Sequence, residues 1–271
     1  MHKLSAKSQK YVIDQGWENF TEQEHEMWSY LFKRQVEEIL PGRVVPVFLD
    51  GVNGLQMAAD GIPKFSDLTD ILQAATGWSV VAVPDLVPDD IFFEMLSRRV
   101  FPSTNFIRKP EQLDYLQEPD IFHDIFGHVP LLVHPVFADY MQAYGEAGIK
   151  AFDTGHLHYL ARLYWYTVEF GLIHTDEGLR TYGSGIVSSF GETKYCVEDK
   201  TPNRIQFDLN RVMRTNYIID KYQETYFVVN SFEELFEATT QDLTDLYVEL
   251  DKLKDLVPSD VLDSDEIVRI D

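Results

Sequence analysis

Only one cysteine, Cys196, occurs among the 271 residues, and a lone thiol excludes an intramolecular disulfide framework. A reducing compartment, most simply the cytoplasm, is the expected setting. Basic residues are scarce as well: 23 Lys and Arg stand against 45 Asp and Glu, a formal net charge of −22. Such a surface repels phosphate backbones and anionic bilayers at long range, which argues against nucleic-acid and membrane partners. No uninterrupted apolar run approaches the length that spans a bilayer. The segment Met1-His2-Lys3-Leu4-Ser5-Ala6-Lys7 leads into polar sequence without the apolar centre of a secretory signal. Internal repeats, low-complexity tracts and Ser/Gly linkers are missing, so a single domain over residues 1–271 is expected.

What is present is an ordinary globular composition, 45% hydrophobic and 25% charged, able to bury a core without staples. Thr21-Glu22-Gln23-Glu24 is a capping box that predicts a helix running to about Leu40, where Pro41-Gly42 stops it. Val44–Leu49 reads as a strand, and Asp50-Gly51-Val52-Asn53-Gly54 as a turn. Ser66 is expected to cap a helix that Gly77 ends, and Trp78–Val83 to form a strand. Pro88-Asp89-Asp90 opens another helix, and the stretch from about Glu118 to Ile173 is predominantly helical. Arg204–Leu209 and Tyr226–Val229 read as strands. Ser231 with Glu234 predicts a long helix to about Leu253, followed from about residue 256 by a loose acidic tail. The fold class that follows is α+β, mainly helical, with short β-ribbons.

Chemistry concentrates in Asp120-Ile121-Phe122-His123-Asp124-Ile125-Phe126-Gly127-His128. Two histidines five residues apart diverge by roughly 140° on a straight α-helix. They converge on one point if the helix ends between them, and Gly127 could supply that end in the left-handed C′ position. Asp120 is a plausible N-cap for the same short helix. The bland alternative is one core and one surface histidine. The zincin pattern, which needs an i,i+4 pair, does not fit.

A third ligand is offered by Glu169, the lone carboxylate in the aromatic and apolar run from Leu160 to Ile173. A buried carboxylate must be paired, protonated or bound to a cation; Arg162 and Lys194 are possible partners. Two imidazoles and a carboxylate form the open-sided triad of non-haem Fe(II) oxygenases, and the same set can also hold catalytic zinc. A zinc hydrolase and a non-catalytic metal-binding protein therefore remain open on the residues alone. His134, His156 and His158 are weaker candidates, more in keeping with surface histidines.

Around these residues the chain resembles the catalytic domain of the pterin-dependent aromatic amino acid hydroxylases, from about Phe48 to Phe232. Three ordered stretches carry the resemblance: Pro119 to Leu131, Tyr164-Trp165-Tyr166-Thr167-Val168-Glu169-Phe170-Gly171-Leu172, and Tyr182-Gly183-Ser184-Gly185-Ile186-Val187-Ser188-Ser189-Phe190-Gly191-Glu192. The resemblance implies Fe(II) on His123, His128 and Glu169, and a tetrahydropterin as reductant of dioxygen. It implies that Arg108 pairs with the substrate carboxylate, as its planar fork suits. Trp165 and Phe170 would line the aromatic pocket, with Gly185 beside the substrate. Ser188 would hydrogen-bond an iron-bound histidine.

The resemblance implies a pterin site that involves Leu86, Val87, Asp89, Phe92, Ala161 and Tyr164, with Phe92 stacked on the ring. Asp85, Pro88 and Asp89 depart from the animal enzymes, which carry glycine and serines there, and Leu116 replaces a substrate-contacting threonine. The chain has no room for the animal regulatory domain or tetramerisation helix, and so resembles the bacterial phenylalanine hydroxylases of the family, with a monomer or homodimer expected. Ile219 stands where tyrosine hydroxylases are expected to carry aspartate, which favours L-phenylalanine as substrate; tryptophan or tyrosine hydroxylation is the alternative within the family.

Overall fold

A computed structural model describes residues 4–113 and 118–270. Thr21 opens α1 (Glu22–Lys33) with both halves of the capping box in place: its hydroxyl accepts from Glu24 N, and Glu24 accepts from Thr21 N. The helix continues to Ile39 in π-helical winding. The residues from Val44 onward then depart from expectation. Instead of a strand and a turn, Pro46 starts α2 (Pro46–Gly54) at the first helical position, where its missing N–H costs nothing. A short apolar run of this kind cannot be told from a buried helix by periodicity. Gly51 is needed here because a Cβ would lie 2.2 Å from the Pro130 carbonyl oxygen.

Next come α3 (Phe65–Ala75), β1 (Ser79–Val83), α4 (Asp89–Ser97) and β2 (Val100–Thr104). Ser66 lies inside α3 and does not cap it. β1 and β2 pair in parallel across α4, a two-stranded ribbon with Ser79 opposite Val100. The helical middle comprises a π-helical turn, Phe122–His128, the long α5 (Pro135–Thr154), α6 (Leu157–Tyr164) and a second π-helical turn, Trp165–Glu169.

The antiparallel hairpin β3 (Leu172–Thr175) and β4 (Gly178–Thr181) leads into α7 (Ser184–Val187) and α8 (Phe190–Glu198). It is joined by β5 (Asn203–Gln206), α9 (Leu209–Arg214) and β6 (Thr225–Val229). The sheet runs β4-β3-β6-β5, with β6 parallel to both neighbours.

Ser231 caps α10 (Phe232–Thr240) as expected, but the helix breaks before α11 (Thr244–Leu250), where Asp242 accepts from Thr244 N. The tail is held and does not hang free. Leu256 N donates to Arg214 O, Gln206 N to Glu266 O, and Val268 N to Arg204 O, while buried Asp265 pairs with Arg211 at 3.0 Å. These partners are 42 to 64 residues away in sequence, which is why a local reading misses them.

The core is aromatic where it supports the histidine segment. Phe122 and Phe126 stack at 4.7 Å and are fully buried against Trp28, Phe32 and Phe48. One face of that turn is thereby fixed in the core, and the other faces a cleft. No helix among the described residues is long and apolar enough to cross a membrane.

Candidate active site

His123 and His128 do converge, for a reason other than the expected helix stop. The segment does not end at Gly127, whose φ is not positive; it winds as a π-helix from Phe122 to His128. In that winding residues i and i+5 are the hydrogen-bonded pair, so a five-residue spacing stacks the two side chains on one face. Their Nε2 atoms are 3.3 Å apart with the rings edge to face. Gly127 matters through contact: a Cβ there would stand 3.0 Å from Ser184 O and 3.2 Å from Ser184 Cβ.

Glu169 arrives from the π-helical turn after α6. Its Oε1 lies 3.2 Å from His128 Nε2 and its Oε2 3.6 Å from His123 Nε2. Among the described residues, these three are the group of histidine, cysteine or acidic side chains placed to hold a metal ion. The alternative partners of Glu169 are engaged elsewhere: Arg162 pairs with Asp255, and Lys194 sits over the Phe190 ring. His134 caps α5, and His156 stacks on Tyr247 beside Asp251, far from any ligand set.

Protonation favours a cation. Ser188 Oγ donates to Ser184 O at 2.7 Å, so its lone pair faces His123 Nδ1 at 3.0 Å. A hydroxyl has one proton; Nδ1 must therefore carry the hydrogen, and Nε2 presents a lone pair to the site. Burial pushes His123 down to about 4, keeping the imidazole neutral. Burial alone would raise Glu169, but the imidazoles of His128 and His123 and the Ser184 hydroxyl outweigh it and hold the carboxyl at about 2. Ligand atoms at roughly 2.1 Å from one ion and at right angles to each other lie roughly 3 Å apart, close to the spacings found here.

Arg108 forms the opposite wall. Its Nε and Nη2 each reach Asp120 at 2.9 Å, and Nη1 reaches Leu113 O at 3.3 Å. A guanidinium has five N–H groups and three are taken here, so among the described residues each Nη keeps an N–H that could serve a carboxylate. Asp120 also accepts from His123 N at 3.0 Å, the capping role expected of it, and so links the arginine to the metal-binding turn.

A cleft of about 640 Å³ joins these parts: Arg108, His123, Glu169, Trp165, Phe170, Gly185 and Ser188 all line it. Trp165 packs on Phe170 at 5.0 Å and stacks on Tyr217 at 4.3 Å, while its Nε1 donates to Gln223 Oε1 at 3.1 Å. Gly185 leaves room for Phe170, whose Cζ would lie 2.9 Å from an added Cβ.

Residues 6–252 match the sequence profile of the biopterin-dependent aromatic amino acid hydroxylases. The chain belongs to that family. A Ralstonia nicotianae protein named phenylalanine-4-hydroxylase is 55% identical over 259 residues, covering 96% of this chain and 82% of the relative. The Chromobacterium violaceum protein of the same name is 50% identical over 266 residues, covering 98% and 89%. The crystal structure of the Chromobacterium violaceum phenylalanine hydroxylase bound to cobalt superposes with a TM-score of 0.94 at 50% identity, covering 98% of this chain and 95% of that one. The hydroxylase thus depends on a tetrahydropterin, and its His-His-Glu triad fits iron.

Within this hydroxylase the sequence candidates for the pterin fall outside the cleft just described. Phe92 on α4 meets Tyr164 edge to face at 5.9 Å, and Tyr164 in turn stacks on His128 at 6.2 Å, so these two reach the metal site from its far side. Val87 is half-buried, Asp89 is exposed at the start of α4, and Leu86 is 68% exposed on the loop before it. Ala161 lies on α6, three residues before Tyr164, and is half-buried. Leu116 lies outside the described residues.

Sequence reasoning overlooked three residues. Ser184 donates to Glu169 Oε2 at 2.9 Å; Gln223 holds Trp165; and Glu192 lines the cleft, accepting from Tyr226 Oη and Gln223 N. Ser184 and Glu192 sit inside the motif already singled out, but only contacts distant in sequence reveal what they touch.

Proposed function

We propose that the chain hydroxylates L-phenylalanine to L-tyrosine at a ferrous site on His123, His128 and Glu169. The observation that carries this reading is the meeting of three metal-competent donor atoms at a cleft whose wall His123, Glu169 and Arg108 share. Iron with the reduced pterin supplies the activation of dioxygen; the protein binds, orients and excludes water.

Arg108, held flat by Asp120, takes the amino acid carboxylate on its two Nη atoms. That anchor directs the aromatic ring against the Trp165–Phe170 pair, which Gly185 seats by leaving room for Phe170. Ser188 keeps His123 in the tautomer whose Nε2 can ligate. Phenylalanine is favoured over tyrosine by the names of the relatives and by Ile219, an apolar residue on the cleft wall with no partner for a phenolic hydroxyl. Leu86, Val87, Asp89, Phe92, Ala161 and Tyr164 would contact the pterin, Phe92 by stacking. Action in the cytoplasm belongs to the same reading and is supported by the single, buried cysteine; a monomer or homodimer is proposed with it.

The test is direct. Purified protein is incubated with Fe(II), a tetrahydropterin and each aromatic amino acid in turn, and the product is identified by mass and retention. Tyrosine from phenylalanine is expected; its absence with an iron-replete protein overturns the proposal.

A further inference from the structure

Ser184 stands between the supports of two ligands. It is 2% exposed, and its hydroxyl lies 2.9 Å from Glu169 Oε2 and 3.1 Å from Val168 O. One proton cannot serve both acceptors. Glu169 Oε2 is the nearer acceptor, and a bond to a carboxylate is stronger than one to a backbone carbonyl, so the proton goes to Glu169. The backbone carbonyl of the same residue accepts the Ser188 hydroxyl at 2.7 Å, which commits the Ser188 proton and turns its lone pair to His123 Nδ1. The close approach of Gly127 seats α7 against the histidine turn, so these bonds are made across a tight contact.

We infer that Ser184 is a positioning residue of the metal centre, orienting Glu169 through its hydroxyl and His123 through its carbonyl by way of Ser188. This rests on the reading of His123, His128 and Glu169 as metal ligands. The bond to Oε2 fixes the carboxylate plane and leaves Oε1 as the oxygen nearest His128 Nε2. A purely structural role would be met by Val168 O alone, and the carboxylate would then turn without regard to Ser184.

The experiment uses the metal-free protein and Co(II), titrated into wild type and into Ser184→Ala, Ser188→Ala, the double variant and Glu169→Ala. Both the dissociation constant and the ligand-field absorption are recorded. Loss of a group that orients a ligand typically weakens metal binding about 10- to 100-fold. Ser184→Ala is expected to weaken Co(II) about tenfold and to shift the absorption bands; it keeps the carbonyl that Ser188 uses, so the two single losses should multiply in the double variant. An unchanged constant, or a weaker constant with unshifted bands, overturns the role of Ser184. Equal Co(II) binding by wild type and Glu169→Ala overturns the ligand assignment itself, a distinct failure. Should the alanine variant not fold, Ser184→Gly, which also lacks the hydroxyl, is read by the same two criteria.

Discussion

Asp120 clamps Arg108 through two 2.9 Å bonds, to Nε and Nη2, at the wall of the cleft. Both residues are buried, and the pair is anchored again where Asp120 accepts the backbone N–H of Arg108 and of His123. The arginine is thus oriented before any carboxylate arrives, which spares the ligand the entropy of ordering it.

Removing the charge of Asp120 should therefore harm binding and stability together. Asp120→Asn leaves Arg108 buried without its counter-ion, and loss of one partner from a buried pair costs about 3–5 kcal/mol. Denaturant unfolding of the metal-free protein should show a loss of that order. Arg108→Lys keeps a cation for Asp120 but lacks the planar fork. Its kcat/KM for phenylalanine should fall at least about tenfold with a smaller change in stability. Lysine variant kinetics like those of wild type would remove Arg108 from the site.

Gly127 should tolerate no side chain. The methyl of Gly127→Ala would press on Ser184 O and Cβ, and relief requires moving either α7 or the histidine turn. Overpacking of this kind costs about 1–3 kcal/mol, to be read from the thermal midpoint, and Co(II) affinity should fall with it. Had Gly127 served as a left-handed helix stop, Gly127→Asn would be the mild substitution; here it should be worse than alanine, because it is larger.

Phe92 offers a way to separate the two ligands of the reaction. It reaches the metal site through Tyr164 and does not line the cleft that holds Arg108. Phe92→Leu keeps apolar bulk but loses the aromatic face, worth about 0.5–1.5 kcal/mol. The KM for tetrahydropterin should rise roughly three- to tenfold, while the affinity for phenylalanine measured without pterin stays within about twofold. The reverse pattern would move the pterin elsewhere.

Glu192 should make stability depend on pH. Burial raises its carboxyl to about 7, against the opposing bonds from Tyr226 Oη and Gln223 N. The unfolded chain releases this proton near the ordinary value of about 4.3. Because the folded state holds the proton more tightly, its contribution is fully present below about pH 4.3 and is lost as pH rises through about 7. Glu192→Gln can accept the same two bonds and does not titrate. The difference in unfolding free energy between wild type and variant should therefore shift in favour of the variant between about pH 4.3 and 8. Parallel stability profiles would show that Glu192 titrates alike in the folded and unfolded chain.

Local physics made part of this protein readable from its residues in order. The capping box at Thr21, the side-chain cap of Ser231, the Pro88-Asp89-Asp90 helix start and the candidate ligands His123, His128 and Glu169 are all written within a few residues of where they act. Those signals depend on hydrogen bonds and side-chain chemistry that do not need the rest of the fold.

Tertiary structure decided the remainder. Winding of Phe122–His128 as a π-helix departs from the usual α-helical ladder, and aromatic packing on one face with Ser184 against Gly127 on the other accompanies it. The helix at Pro46, the tail bonded to β5, the clamp of Asp120 on Arg108 and the bond from Ser184 to Glu169 likewise join segments that meet only after folding. Burial is what gives such contacts their weight, because a polar group removed from water must find its partner within the protein.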